Sequence, residues 1–379
     1  MGMVGGGKGA FIGAVHRIAA NMDGLIELHC GAFSSNSEVS KASGKELFLP
    51  ESKCYSSYKE MFEVEAGLPK EERMDFVSIV TPNFAHFEPA MMALDFGFNV
   101  VLDKPMTLCL DEAKQLQQKV NETGLDLCLT HTYSAYPMVK QARKMVADNQ
   151  FGAIRKVMVE YPQGWLSTLS ENEGNKQASW RTDPAKSGIS GCMGDIGTHA
   201  AQLAEYISGL RITKLCADIN IVVAGRKLDD DGNVLLKFDN GANGTLIASQ
   251  IAVGEENSLK IRIYGELGGI EWHQMEPNTL IVKWANAPAQ IFRAGNGYVS
   301  NIAAYNSRTP GGHPEGYLEA FGNLYKNFAL TLSCKLAGTE PSPEMLDFPD
   351  VNDGVRGMAF IENVIASGKS DQKWFDFKI

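Results

Sequence analysis

Near residue 130 the hydrophobic pattern of the chain changes period, and this switch limits the architectures open to it more than any other feature. Up to that point short apolar runs alternate with segments of helical period, as repeated strand–helix units of a parallel sheet do. The runs are Met3-Val4, Leu25 to Phe33, Phe76 to Val80, Val100 to Leu102 and Leu125 to Leu129. The clearest intervening helix is predicted over Asp111 to Thr123, where Ala113, Leu116 and Val120 share a face and Gly124 stops it. The first run is short beside the roughly 5 or 6 residues usual for a buried strand. The numbering is therefore expected to start inside that strand or at an alternative start. Beyond 130 a helix around Met138 to Val146 precedes strands at Ile154 to Tyr161, Leu215 to Val223, Val234 to Phe238, Thr245 to Ile251, Leu259 to Tyr264, Gly269 to Trp272, Leu280 to Trp284 and Ile291 to Arg293. Asp239-Asn240-Gly241 and Gly268-Gly269 supply hairpin turns. A last amphipathic helix is predicted near Val355 to Ala366. Successive strands joined by turns imply an α+β half with a large, open, mainly antiparallel sheet.

With 379 residues the chain exceeds the size at which one core keeps growing, so two domains are expected, over 1–132 and 133–379. Hydrophobic residues at 44% and charged residues at 21% give the balance of a globular protein. No apolar run approaches the roughly 18 residues of a spanning helix. A net charge of -10 argues against nucleic acid or an anionic membrane surface as partner, since either would repel the chain. The seven cysteines are scattered without a C-x-x-C pair, so reduced thiols and no metal centre are expected. Met1 is not followed by a basic n-region and a full apolar core, and Gly6 stands where a myristoylation signal needs Ser or Thr. A cytoplasmic location is the expectation.

Gly5-Gly6-Gly7-Lys8-Gly9-Ala10-Phe11-Ile12-Gly13 lies between the first strand and a helical pattern. In a Rossmann domain such a turn lets backbone approach a dinucleotide pyrophosphate at a helix N-terminus, which makes Gly5, Gly7, Phe11, Ile12 and Gly13 cofactor candidates. A plain tight turn is the competing explanation. The second strand ends in Phe33-Ser34-Ser35-Asn36, without the Asp or Glu that often holds the ribose of NAD. Ser34 and Ser35, with Lys41 downstream, neither repel a 2′-phosphate nor clamp it, so NAD or NADP remains open. Thr81, Pro82, Asn83 and His86 follow the third strand and Asp103 and Lys104 follow the fourth, at the sheet edge where ligands of open α/β sheets bind.

The G-x-x-H ending of the glycine turn, Thr81-Pro82-Asn83 with His86, Asp103-Lys104-Pro105, and Gly194-Asp195-Ile196-Gly197-Thr198-His199 occur in this order. Together they resemble the glucose-fructose oxidoreductase, inositol dehydrogenase and MocA (Gfo/Idh/MocA) family across essentially the whole chain. The resemblance implies an N-terminal Rossmann domain and a C-terminal α+β domain whose open sheet supports the active site and a homo-oligomer, dimer or tetramer. It matches Lys104, Asp195 and His199 to the family's catalytic residues. Three departures stand out: the interval from Gly7 to Gly13 is longer than G-x-G-x-x-G allows, Asp103 replaces a glutamate, and Gln202 stands where many relatives carry an acid. A narrower group is resembled by Thr130-His131-Thr132-Tyr133, Tyr161-Pro162-Gln163-Gly164-Trp165, Trp180-Arg181-Thr182-Asp183-Pro184 and Gly312-His313-Pro314-Glu315-Gly316. From these come the substrate candidates Tyr133, Gln163, Trp165, Trp180, Arg181 and His313, since rings under apolar sugar faces and donors to hydroxyls suit a carbohydrate. The plainer account has Trp165 and Trp180 packing the core and Arg181 pairing with a carboxylate.

The expected activity is hydride transfer between NAD(P) and a secondary alcohol of a sugar, cyclitol or sugar derivative. His199 is expected to take the hydroxyl proton, Asp195 to orient it or the substrate, and Lys104 to hold the reacting oxygen. Two alternatives use the same fold: an NAD-dependent glycoside hydrolase acting by transient oxidation and elimination, and a non-catalytic dinucleotide-binding regulator.

Overall fold

Phe76-Val77-Ser78-Ile79-Val80 is buried at all five positions, as a parallel strand covered on both faces must be. The computed structural model describes residues 1–379. Five strands, β1 (Gly2–Gly5), β2 (Cys30–Ala32), β3 (Phe76–Val80), β4 (Asn99–Leu102) and β5 (Leu127–Leu129), form a wholly parallel sheet in the order β2-β1-β3-β4-β5. The order reverses at β1, so the crevice outside the carboxyl ends of β1 and β3 is the topological switch point of a Rossmann domain. The second strand is shorter than the predicted Leu25 to Phe33, because its ladder reaches only from Cys30 to Ala32.

A helix absent from the sequence-based expectations, Tyr317–Leu336, belongs with this sheet. Ala320, Phe321, Leu324, Tyr325, Phe328, Ala329 and Leu332 form its buried stripe. Phe328 packs edge-on against Phe76 of β3 at 5.3 Å, and Phe321 lies 4.6 Å from the ring of His16 on the helix Phe11–Asn21. Each fully buried Phe or Leu of such a stripe contributes about 1.5–3 kcal/mol relative to exposure. The chain accordingly divides into two compact units, Met1–Thr130 with Tyr317–Val355, and His131–Gly316 with Arg356–Ile379. This differs from a single cut between 132 and 133 in that 317–355 returns to the first unit.

The second unit carries nine strands: β6 (Ile154–Pro162), β7 (Ile212–Asn220), β8 (Asp231–Phe238), β9 (Asn243–Ser249), β10 (Lys260–Gly265), β11 (Gly268–His273), β12 (Thr279–Trp284), β13 (Gln290–Arg293) and β14 (Phe375–Asp376). Their order is β13-β12-β11-β10-β6-β9-β8-β7-β14. All neighbours are antiparallel except β6 and β9. Thus β6 sits between two meanders. The β8–β9 hairpin turns at Gly241, whose φ of +87° requires glycine, while Asn240 Oδ1 accepts from Ala242 N–H at 2.8 Å. Val157, Val159, Leu246, Ile261, Ile263, Trp272 and Val282 are buried on one face, beneath the helices Pro137–Ala147 and Thr198–Ser208. On the opposite face Leu235 and Ile247 are 47% and 40% exposed. No helix is long and apolar enough to cross a membrane.

Candidate active site

Parallel strands deliver their last residues to one edge, so the loops after β1, β3 and β4 share it. The glycines after β1 are demanded by geometry: Gly5, Gly6 and Gly9 have φ of +82°, +70° and +80°, and a Cβ on Gly13 would lie 2.3 Å from Cα of Gly6. The loop enters the helix Phe11–Asn21, whose first turn carries no acidic residue and no side-chain cap. That leaves N–H groups free of side-chain caps and nothing to repel an anion, so the cradle fits a pyrophosphate. Phe11 stands 64% exposed at its lip and Ile12 is half-buried. Ser34 Oγ accepts from Asn36 N–H at 3.1 Å and keeps its own hydrogen to donate, while Ser35 is exposed. After β4, Asp103 Oδ1 accepts from the Lys104 N–H at 2.9 Å and from the Thr130 hydroxyl at 2.8 Å, and Lys104 is half-buried before a cis peptide to Pro105.

In the second unit the parallel pair β6 and β9 leave their sheet at one edge and are laced together there. Gln163 N–H donates to Ser249 O at 2.7 Å, Ala252 N–H to Gln163 O at 2.9 Å and Leu166 N–H to Gln250 O at 3.1 Å. Asp195 and His199 arrive from a π-helical turn, Met193–Gly197, that continues into the helix Thr198–Ser208. The buried Asp229 carboxylate caps its start, accepting from Gly191 N–H and Met193 N–H at 2.7 Å each and from the Ser190 hydroxyl at 3.2 Å. Burial pushes the Asp229 carboxyl pKa up, against the pull of those donors.

Gln250 Nε2 donates to Asp195 Oδ2 at 2.9 Å, and Arg181 Nε lies 3.4 Å from the same oxygen. The Arg181 guanidinium stacks 4.1 Å over Trp180 and lies 6.0 Å from the Trp165 ring. Trp165 Nε1 donates to Gln163 Oε1 at 3.0 Å, Gln163 Nε2 to Asn257 Oδ1 at 2.6 Å, and the Tyr161 hydroxyl to that same oxygen at 2.6 Å. Asn257 Nδ2 donates to the Tyr133 hydroxyl at 3.1 Å, and the hydroxyls of Tyr133 and Tyr161 bond each other. Burial raises the Tyr133 pKa, so it is a neutral phenol. The ring of His199 meets Tyr133 at 4.8 Å and His131 at 5.2 Å, with the two Nδ1 atoms of the histidines 3.4 Å apart.

Residues 1–131 match the model of an oxidoreductase family with an NAD-binding Rossmann fold, and residues 139–271 match the GFO/IDH/MocA C-terminal domain. The chain belongs to the Gfo/Idh/MocA oxidoreductase family. An oxidoreductase of uncharacterised function from Bacillus subtilis (strain 168) is 32% identical, over 99% of this chain and 96% of its own. The crystal structure of an oxidoreductase from Sinorhizobium meliloti is 42% identical with a TM-score of 0.89, over 99% of this chain and 98% of that one. An inositol dehydrogenase homologue from Azotobacter vinelandii, solved with NAD+, is 33% identical with a TM-score of 0.94, over 99% and 96%. An inositol dehydrogenase homologue from Azotobacter vinelandii has also been solved with NADH and myo-inositol. As a Gfo/Idh/MocA member, this chain carries an NAD-binding Rossmann domain and is an NAD(P)-dependent oxidoreductase; which of the two dinucleotides it takes is left open by the turn after β2.

Within this Gfo/Idh/MocA chain, Tyr133, Gln163, Trp165, Trp180, Arg181, Asp195 and His199 join one connected cluster in the second unit. His313 does not: it is exposed, and its hydrogen-bond partners, Pro310 O and Thr309 Oγ1, lie in its own loop. Three cofactor candidates spend their groups on the fold itself. Gly7 N–H donates to Phe33 O at 3.2 Å, and a Cβ there would meet that oxygen at 2.7 Å, so Gly7 lets the loop pack against the end of β2. The Thr81 hydroxyl closes its turn on Ala85 O at 2.8 Å. His86 is buried with Nδ1 2.9 Å from Pro105 O and Nε2 2.8 Å from Thr81 O, so it ties two loops together rather than offering a nitrogen to the cofactor. Burial lowers its pKa, and the neutral ring donates to one carbonyl at a time. Sequence reasoning missed Gln250, Asn257, Tyr161 and His131. The last two stood in segments already singled out; Gln250 and Asn257 carry no motif and are revealed by the pairing of β6 with its two neighbours, β9 for Gln250 and β10 for Asn257.

Proposed function

We propose that this chain is a dehydrogenase of neutral polyols, oxidising a secondary carbinol of a cyclitol or sugar with NAD(P). The observation that carries the reading is the cluster around Asp195 and His199, where amides, phenols and indoles outnumber charges and the one guanidinium faces a carboxylate. Such a lining offers donors and acceptors to hydroxyls and flat apolar faces to ring carbons, while giving little reward to an anionic group. The homologue solved with NADH and myo-inositol supports the cyclitol branch of the reading.

The nicotinamide ring, when bound, supplies the hydride acceptor. His199 takes the hydroxyl proton as the carbon–hydrogen bond breaks, and a histidine suits that task near neutral pH. Asp195, held by Gln250 and Arg181, binds a neighbouring hydroxyl or orients the imidazole. Lys104 stabilises the charge that develops on the reacting oxygen. Gln163, Trp165 and Arg181 bind the rest of the ring.

A panel of cyclitols, aldoses and glycosides with NAD and with NADP, followed at the absorbance of the reduced nicotinamide, tests the proposal. Steady accumulation of reduced dinucleotide with a free polyol supports it. Release of an aglycone without such accumulation would replace it by the transient-oxidation hydrolase, and binding of dinucleotide with no turnover by the regulator.

A further inference from the structure

Beneath the Lys104 segment lies a buried chain of polar side chains that the proposed chemistry does not use. His16, on the helix Phe11–Asn21, is wholly buried. Its Nδ1 lies 2.7 Å from the Tyr325 hydroxyl and 3.3 Å from the Ser78 hydroxyl, and these two oxygens are 2.7 Å apart. Its Nε2 has no hydrogen-bond partner, and Asp103 Oδ1 lies 4.0 Å from it. That same oxygen holds the backbone N–H of Lys104. The four residues come from a helix, the middle of β3, the loop after β4 and the helix Tyr317–Leu336.

We infer that Tyr325 and His16 are positioning residues for Asp103 and, through it, for the start of the Lys104 segment; this rests on the reading in which Lys104 acts on the substrate. The argument is one of donors and acceptors. Burial lowers the His16 pKa to about 4, so the ring carries a single hydrogen. Placed on Nδ1, that hydrogen would leave the buried Nε2 lone pair facing the Asp103 carboxylate. Placed on Nε2, it faces the carboxylate, Nδ1 accepts from Tyr325, and the Tyr325 oxygen accepts from Ser78. Every hydroxyl hydrogen is then used, and Ser78, Tyr325, His16 and Asp103 point their donors one way. The remaining charged or titratable neighbours that act on His16 are Arg17 and His86, and both disfavour a second proton on the ring. Removing the Tyr325 hydroxyl leaves Nδ1 only the longer contact to Ser78 at 3.3 Å, which weakens the preference for Nε2–H, lets the lone pair turn on Asp103 in part of the molecules, and loosens the backbone that carries Lys104.

The test begins with the dinucleotide-bound protein labelled with nitrogen-15 in histidine. Nuclear magnetic resonance identifies which His16 nitrogen bears hydrogen, the signal being assigned by its loss in His16→Gln. Nε2–H is expected in the wild type, and a mixture with Nδ1–H in Tyr325→Phe. In the same variant kcat falls about tenfold, the scale of one neutral hydrogen bond, while the NADH dissociation constant stays within about twofold. A structural role alone would lower thermal stability and leave kcat per folded enzyme intact. Hydrogen on Nδ1 in the wild type overturns the inference, and so does Tyr325→Phe with unchanged tautomer and kcat. The wild-type tautomer does not depend on Tyr325→Phe folding, and it decides this inference even if no carbinol on the panel is oxidised, an outcome that would sink the dehydrogenase reading instead.

Discussion

Arg181 Nε lies 3.4 Å from Asp195 Oδ2, so the guanidinium and the carboxylate in the polar cluster of the second unit largely cancel. Neutral polyols should therefore be oxidised in preference to sugar acids or sugar phosphates of the same ring. Arg181→Gln should raise KM for the neutral substrate about fivefold, an ion pair of this exposure being worth about 1 kcal/mol. Initial rates on matched neutral and anionic substrates check both statements, and a strong preference for the anion would refute the first.

His199→Ala should lower kcat by about 10²-fold or more, the lower end of what positioned proton transfer supplies. Lys104→Ala should also suppress turnover. Calorimetric titration with NADH should show binding retained in His199→Ala. Near-normal turnover in that variant would remove His199 from the chemistry.

Stability should fall in acid, with His16 as one identifiable cause. Its pKa is lowered to about 4 in the fold, below the value near 6.5 of the unfolded chain, so the unfolded state binds more protons between those limits. Its contribution is whole above about pH 6.5 and is lost as pH falls toward 4, roughly 3 kcal/mol in all. Urea unfolding from pH 7 to pH 4 should show a shallower decline for His16→Gln than for the wild type.

Arg226, with a side chain 1% exposed, donates to Glu171 at 3.1 Å, to Asp230 at 3.2 Å, and to the carbonyls of Leu166 and Thr168 at 2.7 Å and 2.8 Å. It thus anchors the segment that follows Trp165. Arg226→Met leaves Asp230 buried without its cation and should destabilise the fold by about 3 kcal/mol. Chemical denaturation measures it.

The exposed face of the nine-stranded sheet, with Leu235 and Ile247, is expected to meet a second copy of the chain. Sedimentation should show an oligomer for the wild type. Leu235→Lys combined with Ile247→Lys should shift it toward monomer.

Most of the architecture is written locally. The all-apolar run Phe76 to Val80 and the alternation along Ile154 to Tyr161 each reflect how many faces of a strand are covered, and that is a property of neighbours in sequence. The helix Tyr317–Leu336 shows a readable stripe from Ala320 to Leu332, yet nothing near it in sequence says which sheet it covers; that follows from pairing His16 with Tyr325. The site divides in the same way. Asp195 and His199 are found by spacing, whereas Gln250 and Asn257 become visible only through the register of β6 against β9 and β10. Gly7, Thr81 and His86 show the converse: each sits in a recognisable motif, but its polar group serves the backbone of the motif.

All five strands of the parallel sheet are translated by Leu129, but the helix that packs on Phe76 and completes the His16 cluster leaves the ribosome only after β6 to β13. A nascent chain must therefore carry an unfinished nucleotide-binding half, with Phe76 lacking Phe328 and His16 lacking Tyr325, throughout the synthesis of His131–Gly316. The order of manufacture and the order of assembly run against each other. Such a chain is a natural client for chaperones that bind exposed aromatic surface, and its two units cannot be separated by one cut without dividing the first between the pieces.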